Sequence, residues 1–476
     1  MRRCLTGLAG AALLLAGCAG FPETARLERI DDEAGYRYAN LADADAGEAL
    51  FVVLTFSGGG TRAAALAYGV LEALRDSRVP LDGEYRNLLE EVDILSSVSG
   101  GSFTAAYYAL HREAIFADDG PFLRDFLYAD LEGRLKRRLL NPYQLARLAS
   151  PTFGRIDLAD EVYQAQLFGD ATFADLPRRK PFLLLNATDM TKGASFAFIQ
   201  AQFDPLCADL DSVTISRAVA ASSNFPIAFT PLALNAYPGQ CDYREPAWVE
   251  HGLRDLTSNP RRYYRARSLR RYQEPGRDYV HLLDGGVADN LGLRLPLTAL
   301  RSTDPPWSLL TRLNLEAIDK LVIIVVDAKP GRDPGHDASP RAPGLRAVVS
   351  QISSVPMANY SFDSVELLRQ TLRTRADAQH LAAQRSERQE APDEALHAAE
   401  LYRIYVGFDQ LADADTRERF LNLPTSFHLP DADVTALRRV GRALLEGSPC
   451  FQSLLSGDYD EAACVQGQPS EGVAFP

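Results

Sequence analysis

The chain has 476 residues, of which 46% are hydrophobic, and a formal net charge of −13. That is enough apolar material for one large core or two medium ones, and too acidic a balance for nucleic-acid binding by bulk electrostatics. No internal repeat or long low-complexity tract interrupts it.

Residues 1–17 hold Arg2 and Arg3 and an apolar run from Leu5 to Leu15. The run is well short of the roughly 20 residues that span a bilayer, so it reads as a secretory signal and is set aside from the fold. It ends Leu15-Ala16-Gly17-Cys18, which resembles the lipobox of bacterial lipoproteins. That resemblance implies Cys18 as the acylated first residue, a membrane anchor, and, with Ala19 next, the periplasmic face of the outer membrane. Residues 18–48 are polar and acid-rich and read as a tether.

Leu50 to Phe56 is continuously apolar and reads as a fully buried strand. It runs into Ser57-Gly58-Gly59-Gly60-Thr61-Arg62, and Ala63 to Arg75 follows with Leu66, Val70, Leu71 and Leu74 at helical spacing. Glycines between a strand and a helix let backbone N–H groups of Gly58, Gly59 and Gly60 turn toward an anion. A phosphate loop would end in Gly-Lys-Ser/Thr, whereas this one ends Gly60-Thr61-Arg62, so the oxyanion of an acyl transfer is the better reading. Arg62 reads equally as part of that site and as a salt bridge or cap for the loop.

Glu91 to Tyr108 is a second strand, turn and helix. Val92, Ile94, Leu95 and Val98 form the strand, Ser99-Gly100-Gly101 breaks it, and Phe103 to Leu110 resume in a helical pattern. A nucleophile elbow needs small neighbours around its serine, here Ser97, Gly100 and Gly101. An ordinary Ser/Gly turn is the competing reading, and Ser102 is a rival nucleophile. Farther on, Tyr279 to Leu283 reads as a strand that ends at Asp284, where Gly285 and Gly286 let the backbone turn and leave the carboxylate exposed. His281, three residues from Asp284, points to the opposite face of a strand and is no local partner. A Ser-Asp-His triad would instead draw on His336, His380, His397 or His428, of which His428 is best placed. Asp289 and Asn290 read as turn and cap residues or as substrate-positioning groups.

The Gly-Gly-Gly-x-Arg loop followed about forty residues later by the Ser99 elbow resembles the patatin-like phospholipase family. Pro181 to Gly193, Ser216 to Pro231 and the Asp-Gly-Gly of Tyr279 to Leu293 extend the resemblance over about Leu50 to Asp327, in the family's order. Ser97 replaces the family's first elbow glycine, and Ala63 a frequent glycine. The resemblance implies an α/β fold, a patatin-like three-layer α/β/α arrangement around a central mostly parallel sheet. It also implies Ser99 as nucleophile, Asp284 as general base and an oxyanion hole at Gly58, Gly59, Gly60 and Arg62. The substrate class it implies is an acyl ester of a lipid, with phospholipid or lysophospholipid first. A general carboxylesterase or thioesterase and a non-catalytic lipid-binding lipoprotein are the alternatives.

Export leaves Cys207, Cys241, Cys450 and Cys464 in an oxidising compartment. Three pairings exist; the one preferred joins nearest neighbours, Cys207 with Cys241 and Cys450 with Cys464. Eight arginines between Arg254 and Arg277, interleaved with Tyr263, Tyr264 and Tyr272, read either as a face for anionic headgroups or as a solvated, ion-paired helix. Leu321 to Val326 reads as another buried strand, Pro330 to Pro343 as a loop, Asp363 to Gln384 as a helix, Tyr402 to Phe408 as a strand and Asp431 to Leu445 as a closing helix. The hydrolase domain is thus expected over 49–448, with its motifs in 50–327 and an extension in 345–448, and a tail over 449–476. No cofactor is expected, and no residues stand at metal-ligand spacing.

Overall fold

The computed structural model describes residues 19–42, 49–301, 318–331, 340–387, 399–466 and 472–475. The expected signal segment, Cys18, His336 and His397 lie outside them.

The strands are β1 (Leu50–Phe56), β2 (Arg78–Leu81), β3 (Glu84–Asn87), β4 (Val92–Val98), β5 (Phe182–Asp189), β6 (Ala194–Ala197), β7 (Leu232–Asn235), β8 (Tyr279–Asp284), β9 (Lys320–Asp327) and β10 (Glu400–Gly407). The helices used below are α1 (Thr61–Asp76), α2 (Gly100–His111), α3 (Leu131–Leu139), α4 (Pro142–Arg147), α5 (Arg155–Tyr163), α6 (Ile215–Ser222), α7 (Pro260–Arg270), α8 (Leu345–Glu387) and α9 (Asp431–Glu446).

One sheet runs in the order β10-β9-β1-β4-β5-β8-β7, with β6 also paired to β5, and β2 and β3 form a separate hairpin. β10, β9, β1, β4 and β5 are mutually parallel, whereas β8, β7 and β6 join antiparallel. Every residue of β1, β4 and β5 is buried, as continuous apolar runs require when helices cover both faces. The result is the expected three-layer α/β/α arrangement with a mostly parallel sheet.

The covering helices pack at backbone distance where glycine permits it. A Cβ on Gly69 of α1 would run into the Arg438 carbonyl of α9, and one on Gly441 of α9 into the Leu66 carbonyl of α1. The C-terminal strand β10 extends the same sheet beside β9. Helix α8 is 43 residues long and carries Pro356 inside it, so it begins well before the Asp363 start read from the sequence.

Residues 19–42 do not hang as a tether. Tyr36 is buried, stacks on Phe182 at 4.6 Å and accepts the Leu183 N–H at 2.7 Å. Arg37 forms a bidentate pair with Asp204 at 2.7 and 2.8 Å, and Thr24 N–H donates to Asn235 Oδ1 at 3.1 Å. The polar composition of this stretch hid a few anchoring side chains with distant partners. Cys207 is bonded to Cys241 and Cys450 to Cys464.

Candidate active site

The glycine loop and the serine turn lie side by side at the carboxyl ends of β1 and β4, the end of a parallel sheet where strand termini leave room for ligands. Ser99 sits between β4 and α2 with φ 51° and ψ −120°, a left-handed conformation that a serine adopts only where the surroundings impose it. Gly100 is required at the next position, because a Cβ there would meet the backbone of Gly60. Loop and elbow are therefore in direct contact.

Ser99 Oγ donates to Asp284 Oδ2 at 2.9 Å, and the other oxygen, Oδ1, accepts the Gly286 N–H at 2.8 Å. Burial raises the Asp284 pKa from 3.8 to about 7, against the lowering effect of those two donors. No histidine stands between the two groups. His281 is exposed on the other face of β8, and His428 is exposed in the 423–428 loop.

Several polar side chains fix this pair. Ser222, the last residue of α6, accepts the Ser99 N–H at 2.9 Å and donates to the Asn186 carbonyl at 2.6 Å. Ser102 contacts Ser97 Oγ at 3.1 Å and Ser222 Oγ at 2.9 Å, so it belongs to the support of the elbow. The Asp284 N–H donates to the Asn224 carbonyl at 3.0 Å, while Thr188 Oγ1 donates to the Asp284 carbonyl at 2.8 Å. Sequence reasoning missed Ser222, Asn224 and Thr188. The Ser/Ala-rich segment and the Thr-Asp turn that carry them were seen, but nothing in their spacing says which hydroxyl faces the elbow.

Two of the four expected oxyanion residues are otherwise engaged. The Gly58 N–H donates to the Asn290 carbonyl at 3.0 Å. Arg62 is wholly buried, and its guanidinium donates to the Ala328 carbonyl at 2.9 Å, to the Leu423 carbonyl and to Thr425 Oγ1 at 3.1 Å. Burial lowers its pKa to about 10, with Asp327 opposing. A buried cation must find acceptors, and those available come from the end of β9 and from the C-terminal extension, so the cap reading of Arg62 holds. Gly59 and Gly60, at φ 143° and 61°, keep N–H groups with no acceptor among the described residues, as does Gly100 at the start of α2.

The 423–428 loop completes one wall. Its Ser426 carbonyl accepts the Thr61 N–H at 2.9 Å, and Phe427 packs on Phe103 and Tyr163 at ring distances of 5.7 and 6.3 Å. Asp289 is buried and accepts the Arg294 N–H at 2.7 Å, so it and Asn290 serve the backbone. Of the eight arginines near α7, Arg254, Arg262, Arg270 and Arg277 pair with Glu250, Asp255, Glu245 and Glu274, which is the solvated, ion-paired reading.

The patatin-like phospholipase family model matches residues 54–297, and the chain belongs to that family. The match ends before β9, α8, β10 and the 423–428 loop. Among solved structures, human GIVD cytosolic phospholipase A2 is 17% identical with a TM-score of 0.23, over 38% of this chain and 29% of its own. VipD from Legionella pneumophila is 12% identical with a TM-score of 0.33, over 86% of this chain and 67% of its own. The chain thus spans less than a third of the human protein's length. No curated protein sequence matches it.

Proposed function

We propose that the protein is an exported, lipid-anchored acyl hydrolase that cleaves acyl esters of lipids, phospholipids or lysophospholipids first, through Ser99 and Asp284. The observation that carries the reading is the 2.9 Å hydrogen bond from Ser99 Oγ to a buried carboxylate, made by a serine held at φ 51°. A strained serine at a strand–helix turn, against a base of pKa about 7, suits proton transfer at neutral pH.

In this reaction Asp284 takes the Ser99 proton as Oγ attacks the ester carbonyl. The negative charge that develops on the carbonyl oxygen rests on the N–H groups of Gly59, Gly60 and Gly100, each such donor being worth about 3 kcal/mol. Asp284 then returns the proton to the leaving alcohol. Water, deprotonated by the same carboxylate, releases the fatty acid from Ser99. Arg62 acts by holding the glycine loop, not by touching the oxyanion. The anchor is an acylated Cys18, which puts the protein in the cell envelope, on the periplasmic face of the outer membrane.

Labelling with a fluorophosphonate probe tests the dyad. Wild type is expected to label, Ser99→Ala to lose the label and Asp284→Asn to retain little of it. A folded wild type that does not label would overturn the hydrolase reading and favour lipid binding without catalysis. A lipid panel against thioesters and short-chain esters then separates the lipid reading from a general esterase.

A further inference from the structure

The α3–α4 hairpin presents apolar side chains outward. Its inner side is spent on the core through Leu131 and Leu135, yet Leu140, Tyr143 and Leu145 are 78%, 54% and 53% exposed. Five cations, Arg134, Lys136, Arg137, Arg138 and Arg147, surround them, against the carboxylates of Glu132 and Glu161, of Asp130 at the start of α3 and of Asp125 near Arg134. In a chain of net charge −13, this is a basic and apolar face, and Arg134 and Arg137 have no ion-pair partner among the described residues. Around α7, four of the eight arginines pair with neighbouring carboxylates.

The first described residue lies close to the same face. The Ala19 carbonyl accepts hydrogen bonds from Ser150 Oγ at 2.6 Å and Thr152 Oγ1 at 3.0 Å, just beyond the end of α4. From there residues 19–42 are fastened along the domain. On the reading of Cys18 given above, its acyl chains would enter a bilayer beside Leu140 and Leu145.

The face also connects to the dyad. Arg147 lies over the Phe153 ring at 4.0 Å, and Thr230 Oγ1 accepts the Ile156 N–H at 3.4 Å. Thr230 belongs to the loop that begins at Asn224, the residue whose carbonyl holds the Asp284 N–H. That loop exposes Ile227 at φ 78°, a conformation a β-branched residue rarely adopts.

We propose that the α3–α4 hairpin docks the protein on an anionic phospholipid bilayer, with Leu140 and Leu145 among the acyl chains and the cations on the headgroups. Basic side chains near an anionic surface and exposed apolar ones beside them are the two terms that hold a protein at a membrane interface. The docked face sets the loop from Asn224 to Thr230, and hence Ser99, at the lipid surface.

The test uses the chain from Ala19 onward, which keeps every described residue and leaves out Cys18 and the apolar run. Sedimentation with vesicles of phosphatidylcholine containing a third phosphatidylglycerol is compared with pure phosphatidylcholine. Stronger binding to the anionic vesicles is expected, weakening with salt. Arg134→Gln/Arg137→Gln and Leu140→Gln/Leu145→Gln are each expected to cut that binding at least tenfold, about fivefold per charge removed, with hydrolysis of a soluble short-chain ester unchanged. Equal binding to both vesicle types, or variants that bind like the parent, would overturn the proposal. So would a dimer, seen by light scattering, that the leucine double variant dissociates without change in vesicle binding. The mass of the N-terminal peptide of the exported full chain reports on Cys18 separately: an unacylated peptide beside intact vesicle binding removes the anchor and leaves the docking face.

Discussion

Replacing Asp284 by asparagine separates the two consequences of its burial. The carboxyl is 3% exposed, and loss of water raises its pKa from 3.8 to about 7. Between those values the folded protein holds a proton that the unfolded chain has released. Stability therefore falls as pH rises from about 4 to 7, and the loss is complete above 7. At about 1.4 kcal/mol per pH unit, the rise is worth on the order of 4 kcal/mol at pH 8. Asparagine is neutral and of the same shape: its Oδ1 accepts from Gly286, and its Nδ2 donates to Ser99 Oγ, so both bonds survive. Asp284→Asn is therefore expected to lose hydrolysis and to be more stable than wild type at pH 8, with the difference shrinking toward pH 4. Urea unfolding of both proteins at pH 5, 6.5 and 8 measures it. On the proposed mechanism, in which only the carboxylate accepts the Ser99 proton, wild-type kcat/KM on a soluble ester is expected to rise with pH to an inflection near 7. Equal stabilities at pH 8, or a wild type that gains on the variant as pH rises, would refute the desolvation argument.

Ser222→Ala leaves the buried Ser99 N–H without its acceptor and costs about 1 to 3 kcal/mol. Steady-state kinetics should show kcat down about tenfold, because a loosened elbow misplaces Ser99 Oγ, with KM nearly unchanged; an unaltered kcat would show that the elbow does not depend on this hydroxyl. Arg62→Lys keeps the charge but cannot span three acceptors on two segments, so the 423–428 loop should become the first site of limited proteolysis. Loss of stability without new cleavage there would place the role of Arg62 elsewhere. Serine substitution of both cysteines in a pair should cost about 4 kcal/mol for Cys207 and Cys241, 34 residues apart, and about 3 kcal/mol for Cys450 and Cys464, 14 apart. The reverse order in denaturant unfolding would contradict the loop-closure account.

What could be read in the sequence was whatever is decided within a few residues. β1 and β9 are nearly continuous apolar runs closed by glycine or a polar turn, a pattern with few foldings other than a doubly covered parallel strand, while β4 and β5 mix apolar residues with buried polar ones such as Asp93 and Asn186. Ser99 follows β4 and Asp284 ends the alternately buried β8, each beside glycines, so their candidacy is local as well. The pairing of N–H groups was not. Gly58, Gly59 and Gly60 are indistinguishable as letters, yet the carbonyl of Asn290 takes the first and nothing among the described residues takes the other two. Arg62 likewise finds its acceptors 266 to 363 positions away, on carbonyls and a hydroxyl that carry no pattern. The same limit turned residues 19–42 into an apparent tether, because Arg37 and Tyr36 are ordinary residues until Asp204 and Phe182 arrive beside them. A motif can therefore locate a candidate nucleophile and a carboxyl group beside it. Which neighbouring dipoles remain without a partner depends on long-range backbone contacts, and here these engage Gly58 and Arg62 in holding the loop while the N–H groups of Gly59 and Gly60 keep no acceptor among the described residues.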